Sequence, residues 1–173
     1  MAIIPKITAV SYLNTIPFVY GLKHADNLRA DLLLAPPADC AKNYIEHKAD
    51  IALLPLAVVP QPKDTNIITD YCIGAVGAVR TVTVMSNSPI KSVKRIWLDA
   101  HSRTSVQLVG YLAAHKWHIA PEWLHLDDYA IVDNPREGDA FLLIGDKVFG
   151  YEGRFAYTYD LAIEWRETTK LPF

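Results

Sequence analysis

What this sequence lacks narrows the field first. Its 173 residues include two cysteines, Cys40 and Cys72, in dissimilar contexts, which is neither a zinc ligand set nor a disulfide framework. Two buried free thiols in a reducing compartment are expected. Neither sign of charge dominates: 17 basic against 19 acidic residues leave a formal net charge of -2, which gives no reason to expect nucleic-acid or membrane binding. Long hydrophobic runs are missing too. The longest, Ile51 to Val59, is too short to span a bilayer and contains Pro55. The opening residues lack the charged start, apolar core and cleavage site of a secretion signal, so a cytoplasmic protein is expected.

Familiar catalytic motifs are absent as well. There is no G-x-S-x-G, H-E-x-x-H, C-x-x-C, Walker loop or paired-carboxylate pattern. Gly74 and Gly77 stand three apart but belong to no G-x-G-x-x-G, which excludes a dinucleotide site. Of six histidines, only His115 and His118 have a spacing that suits a metal, and they fall at a helix end where cationic side chains are commonplace. His101 alone lies beside a candidate site, as a weak acid/base candidate. No metal and no cofactor is expected. An enzyme of this make-up works by positioning and by fixed dipoles.

What is present is an ordinary globular composition, 51% hydrophobic and 21% charged. Apolar strand-like runs alternate with helical patterns. Ile3–Val10, Asp31–Ala35 and Asp50–Leu54 read as strands, with helices over Ile16–Gly21 and Ala38–His47 between them. A continuous apolar strand such as Asp50–Leu54 suits a parallel sheet covered on both faces. Further on, strands are expected at Thr81–Ser86, Ile96–Leu98, Trp123–Leu126 and Ala140–Ile144. A helix follows the second of these, with Val106, Leu108, Val109, Leu112 and Ala113 on its apolar positions. The layout is α/β, with right-handed crossovers.

Three junctions from strand to helix carry the candidate chemistry. In Ser11-Tyr12-Leu13-Asn14-Thr15-Ile16-Pro17-Phe18, Asn14 and Thr15 are suitable N-caps and Pro17 fits a first helical turn. Ser102-Arg103-Thr104-Ser105 places three hydroxyls and an arginine at a helix start, the strongest anion-site pattern in the chain. At Gly145-Asp146 the glycine allows close backbone approach, and Asp146 is expected to cap the turn that follows.

Together with Asp50-Ile51-Ala52-Leu53-Leu54-Pro55, and with Leu143-Ile144 ahead of Gly145, these blocks stand in order and at fitting separations over essentially the whole chain. They resemble the chorismate dehydratases of the futalosine route to menaquinone, built like type II periplasmic binding proteins. The closing Trp165…Leu171-Pro172-Phe173 resembles that family's crossing back between lobes. The family continues well past this block, by roughly a third of its length. Lys170 stands where it usually has glycine, and Thr81 where it usually has a serine facing the substrate.

The resemblance implies a two-lobed clamp, with residues 1–81 as an incomplete first lobe, 82–168 as the second and 169–173 starting the crossing back. It implies a carbon–oxygen lyase that binds the small anion chorismate and releases 3-[(1-carboxyvinyl)oxy]benzoate. Asn14 and Thr81 are the expected catalytic residues. Ser11, Tyr12, Thr15, Ser102, Arg103, Thr104, Ser105, Gly145 and Asp146 are expected to bind the substrate. Two rivals stand beside this reading: the sister 1,4-dihydroxy-6-naphthoate synthase, and a non-catalytic binding protein for a small carboxylate. An incomplete first lobe would expose a sheet edge and apolar helix faces, so self-association is expected.

Overall fold

A computed structural model describes residues 4–173 of the chain. These divide into two compact units, residues 4–73 and 74–173.

The first unit is built on a three-stranded parallel sheet in the order β2-β1-β3. Its strands are β1 (Lys6–Val10), β2 (Asp31–Ala35) and β3 (Ile51–Ala52). Helix α1 (Ile16–His24) joins the first two, and α2 (Pro37–Ile45) joins the second and third. Ile7, Thr8 and Ala9 are all buried, as befits a central parallel strand covered on both faces. Cys40 and Ala41 pack from α2, whereas α1 buries none of its residues.

The expected third strand is shorter than its apolar run. Pairing ends once the Leu53 amide has donated to the Thr8 carbonyl at 3.0 Å, because Pro55 leads the chain into a 3₁₀ turn at Leu56–Val58. As an edge strand it is only half-buried. Helix α1 runs three residues past Gly21, which sits in its interior. Cys72 is exposed and only Cys40 is buried, correcting the expectation of two buried thiols; Cys72 lies in a segment without regular structure, away from the sheet.

The second unit carries a five-stranded mixed sheet in the order β6-β5-β7-β4-β8. Its strands are β4 (Val82–Ser86), β5 (Arg95–Asp99), β6 (Glu122–Leu126), β7 (Asp139–Ile144) and β8 (Tyr157–Asp160). β5 runs parallel to both β6 and β7, and β4 lies antiparallel between β7 and β8.

Helix α3 (Thr104–Leu112) carries the chain from β5 to β6, and α4 (Ala130–Asp133) from β6 to β7. These crossovers take opposite faces. Val109 and Leu112 of α3 pack with Val84, Ile96, Leu142 and Leu161, the last from α5 (Leu161–Thr169). Val132 of α4 packs with Met85, Phe141, Leu143 and Val148 on the other face. Residues one apart on β4, β5 and β7 therefore enter different cores, the period-two rule of a strand covered on both sides. The backbone amide of Ala75 donates to the Phe173 carbonyl at 2.8 Å and that of Phe173 to Ala75 at 2.9 Å.

Candidate functional site

In the first unit β1 lies between β2 and β3, and in the second β5 lies between β6 and β7, so successive crossovers diverge from that middle strand. The carboxyl ends of two parallel strands then open beside a crevice that no connection covers, which is where open α/β sheets bind ligands. The two places are the carboxyl end of β1, with Ser11–Thr15, and those of β5 and β7, with Asp99–Ser105 and Gly145–Lys147. Every candidate residue named from the sequence falls at one of these two places or at the foot of β4 beside β7.

At the end of β1 the Ser11 amide donates to the Ala35 carbonyl at 3.0 Å, tying the junction to β2. Leu13–Thr15 then form a 3₁₀ turn ahead of α1, closed by the Thr15 amide donating to the Tyr12 carbonyl at 3.0 Å. This turn changes the expected capping. Neither Asn14 nor Thr15 caps α1 through its side chain. The buried Thr15 hydroxyl instead donates to Asn14 Oδ1 at 3.4 Å, and Asn14 stands exposed. The Asn14 carboxamide is thereby left with its donor face unspent on the helix. Ser11 is exposed and Tyr12 half-buried.

At the end of β5, α3 starts without a side-chain cap. Ser102 and Ser105 are buried, at 7% and 8% exposed. Arg103 and His101 are exposed, and Thr104 is half-buried. The loop is shaped by Asp99, whose backbone carbonyl accepts from the Ser102 amide at 3.1 Å and whose Oδ1 accepts from the His101 amide at 3.0 Å.

The third junction reaches the same carboxylate. Asp99 Oδ2 accepts from the Ile144 amide at 3.3 Å and lies 2.5 Å from Lys147 Nζ. Lys147 also donates to the Tyr129 hydroxyl, and its ammonium stands 4.7 Å from the centre of that ring. Between Ile144 and Lys147 the chain turns through Gly145 at φ 75°, a left-handed conformation that an L side chain rarely takes. The Gly145 amide donates to the Thr81 carbonyl at 2.8 Å, which brings Thr81 into this group. Asp146 is exposed and makes no cap; Gly145 occupies the cap position, because the left-handed turn and not a carboxylate starts the 3₁₀ segment Asp146–Tyr151.

Thus Thr81, Ser102–Ser105, Gly145 and Asp146 converge, as do Ser11–Thr15 in the first unit. Asp99, Lys147 and Tyr129 were missed. The signal that could have found two of them is local: an acid closing one apolar strand, and a lysine two residues beyond a glycine that closes another. No group of histidine, cysteine, aspartate or glutamate among the described residues could hold a metal ion. A shallow depression lined by Ile7, Leu22, Leu28 and Leu32 lies at the amino end of β1, away from Ser11, and brings none of these groups together.

A family model described as menaquinone biosynthesis matches residues 5–173. Among solved structures, the chain resembles protein AF1704 from Archaeoglobus fulgidus with a TM-score of 0.71 and 18% sequence identity. That alignment covers 98% of this chain and 64% of the archaeal one, so the likeness is one of fold over about two thirds of the longer protein.

Proposed function

The chain belongs to the menaquinone biosynthesis family, and from that premise we propose that it dehydrates chorismate to 3-[(1-carboxyvinyl)oxy]benzoate, as a carbon–oxygen lyase of the futalosine route. One observation carries the reading. At the switch point of the second sheet, an uncapped helix start flanked by the largely buried Ser102 and Ser105 stands ready for a small anion. Chorismate is a dicarboxylate. Ser102, Thr104, Ser105 and the α3 amides bind one carboxylate, with Arg103 adding positive charge at the rim. Gly145 and Asp146 shape the neighbouring wall. Ser11, Tyr12 and Thr15 position substrate in the first unit, and Asn14 and Thr81 hydrogen-bond near the departing hydroxyl or the enolpyruvyl group.

In the reaction a ring C–H bond and the neighbouring C–O bond break, water leaves, and the ring becomes aromatic. Aromatisation supplies the driving force, so the protein's task is to orient and desolvate. The substrate's own carboxylate takes the ring proton once the anion is fixed in place and passes it to the departing hydroxyl, which leaves as water. The test is incubation of the protein with chorismate followed by chromatography. Appearance of the enolpyruvyl benzoate supports the proposal. Chorismate that binds and is recovered unchanged would make this a binding protein and reject it.

A further inference from the structure

The carboxyl end of β5 sets two demands against each other. Asp99 is 1% exposed, and it stands three residues ahead of the buried Ser102 at the start of α3. A carboxylate so placed repels any anion that approaches the helix start, and burial strengthens the repulsion because little water screens it. The Asp99 side chain accepts from the His101 and Ile144 amides, but two neutral donors do not cancel its charge. Lys147 does. It lies on the turn after the neighbouring strand, 2.5 Å from Asp99 Oδ2, and is steadied by the Tyr129 hydroxyl and ring face.

Resting on the dehydratase reading of this site, we propose that Lys147 is the positioning residue that sets its charge: by neutralising Asp99 it lets the Ser102–Ser105 helix start accept a substrate carboxylate. The helix start does not stand alone in pointing to a ligand. Ser102 and Ser105, beside it, are each more than nine-tenths buried. On the sheet face that Asp99 shares with Trp97, the Oγ1 of Thr83, 2% exposed, and the Nε1 of Trp97 lack partners among the described residues.

A charge-setting role and a merely structural one predict opposite signs. If the pair only holds the loop, Asp99→Asn and Lys147→Met weaken anion binding alike and the double variant is no better. If Lys147 sets the charge, Lys147→Met exposes the anion to an uncompensated carboxylate and weakens binding about tenfold or more. Lys147→Arg keeps affinity within about threefold, and Asp99→Asn leaves it unchanged or tighter. The double variant returns to near the wild-type value.

The experiment is calorimetric titration of the wild type and these variants with chorismate and, separately, with inorganic phosphate, alongside KM and kcat for chorismate. The effects are expected in affinity and KM, with kcat little changed. Loss of affinity in Asp99→Asn as large as in Lys147→Met overturns the inference, and Asp99→Asn decides this even where Lys147→Met does not fold. Failure of the wild type to bind either anion overturns it too. Phosphate binding in the expected order, without turnover of chorismate, keeps the inference and rejects the dehydratase reading.

Discussion

Asp160 shows how much one side chain does at the base of the second unit. Its Oδ1 accepts from the Ala162 and Ile163 amides at the start of α5, and its Oδ2 from the Val79 and Arg80 amides on the segment leading into β4. Arg80 is left-handed at φ 61°, a conformation that costs a non-glycine residue free energy and persists because Asp160 holds its amide. Replacing Asp160 by alanine is expected to lower stability by about 2 kcal/mol or more, beyond an ordinary lost cap, as read by urea unfolding. The two cysteines diverge just as sharply. Burial pushes the Cys40 thiol up, and hydrogen bonds with Thr8 and Ala35 only partly offset it. At neutral pH a thiol reagent should label the exposed Cys72 at once and Cys40 only on unfolding; simultaneous labelling in the native state would contradict this. Asn14→Ala and Thr81→Ala are each expected to cost at least tenfold in turnover of chorismate, and full activity in either would remove the role assigned to it.

At the scale of elements, the strands were the most legible feature. Asp31–Ala35 reads off its apolar run with its ends in place, and β4, β5, β6 and β7 each extend or lose a single residue at one or both ends. The runs are short and bounded by turn residues, which leaves little room for error. Capping was not legible. Asn14, Thr15 and Asp146 have the right chemistry, but a 3₁₀ turn and a left-handed glycine took over the positions that their side chains would have used. Nor could periodicity bring Lys147 to Asp99, since the contact depends on which strands are neighbours.

The end of α3 shows a similar long-range clasp. The helix continues as a π-type turn, Ala113–Trp117, whose Lys116 lies 2.9 Å from Glu164 and 2.7 Å from Glu167 on α5. Burial pushes the Lys116 ammonium down, but the two carboxylates outweigh it and hold it above its ordinary value. Lys116 in turn holds Glu167 below the usual carboxylate range. The raised lysine adds stability that is complete below its ordinary value and lost as pH climbs through the raised one. The lowered glutamate adds stability that is complete above its ordinary value and lost as pH falls through the lowered one. Lys116→Met should therefore melt earlier than wild type at neutral pH, with the gap shrinking in acid; a gap independent of pH would mean that the charges are idle.

At the scale of the molecule, the two units differ in how well they are covered. The second has two apolar cores, one on each face of its sheet. The first leaves Ile16 and Tyr20 of α1 and Leu33 and Leu34 of β2 exposed. Sedimentation of this 173-residue chain is expected to show association that grows with concentration, and a monomer throughout the range would count against it. The α/β layout was readable from the alternation of strands and helices. Which residues join across strands was not, because that is decided by topology.

The paired amides and carbonyls of Ala75 and Phe173 have a consequence for how such a protein is assembled from parts. The residues between them, nearly the whole second unit, start and finish a single strand-spacing apart. Seen as wiring, the second unit is a closed loop: joining those two ends and opening the chain at an exposed turn elsewhere would leave its sheet undisturbed.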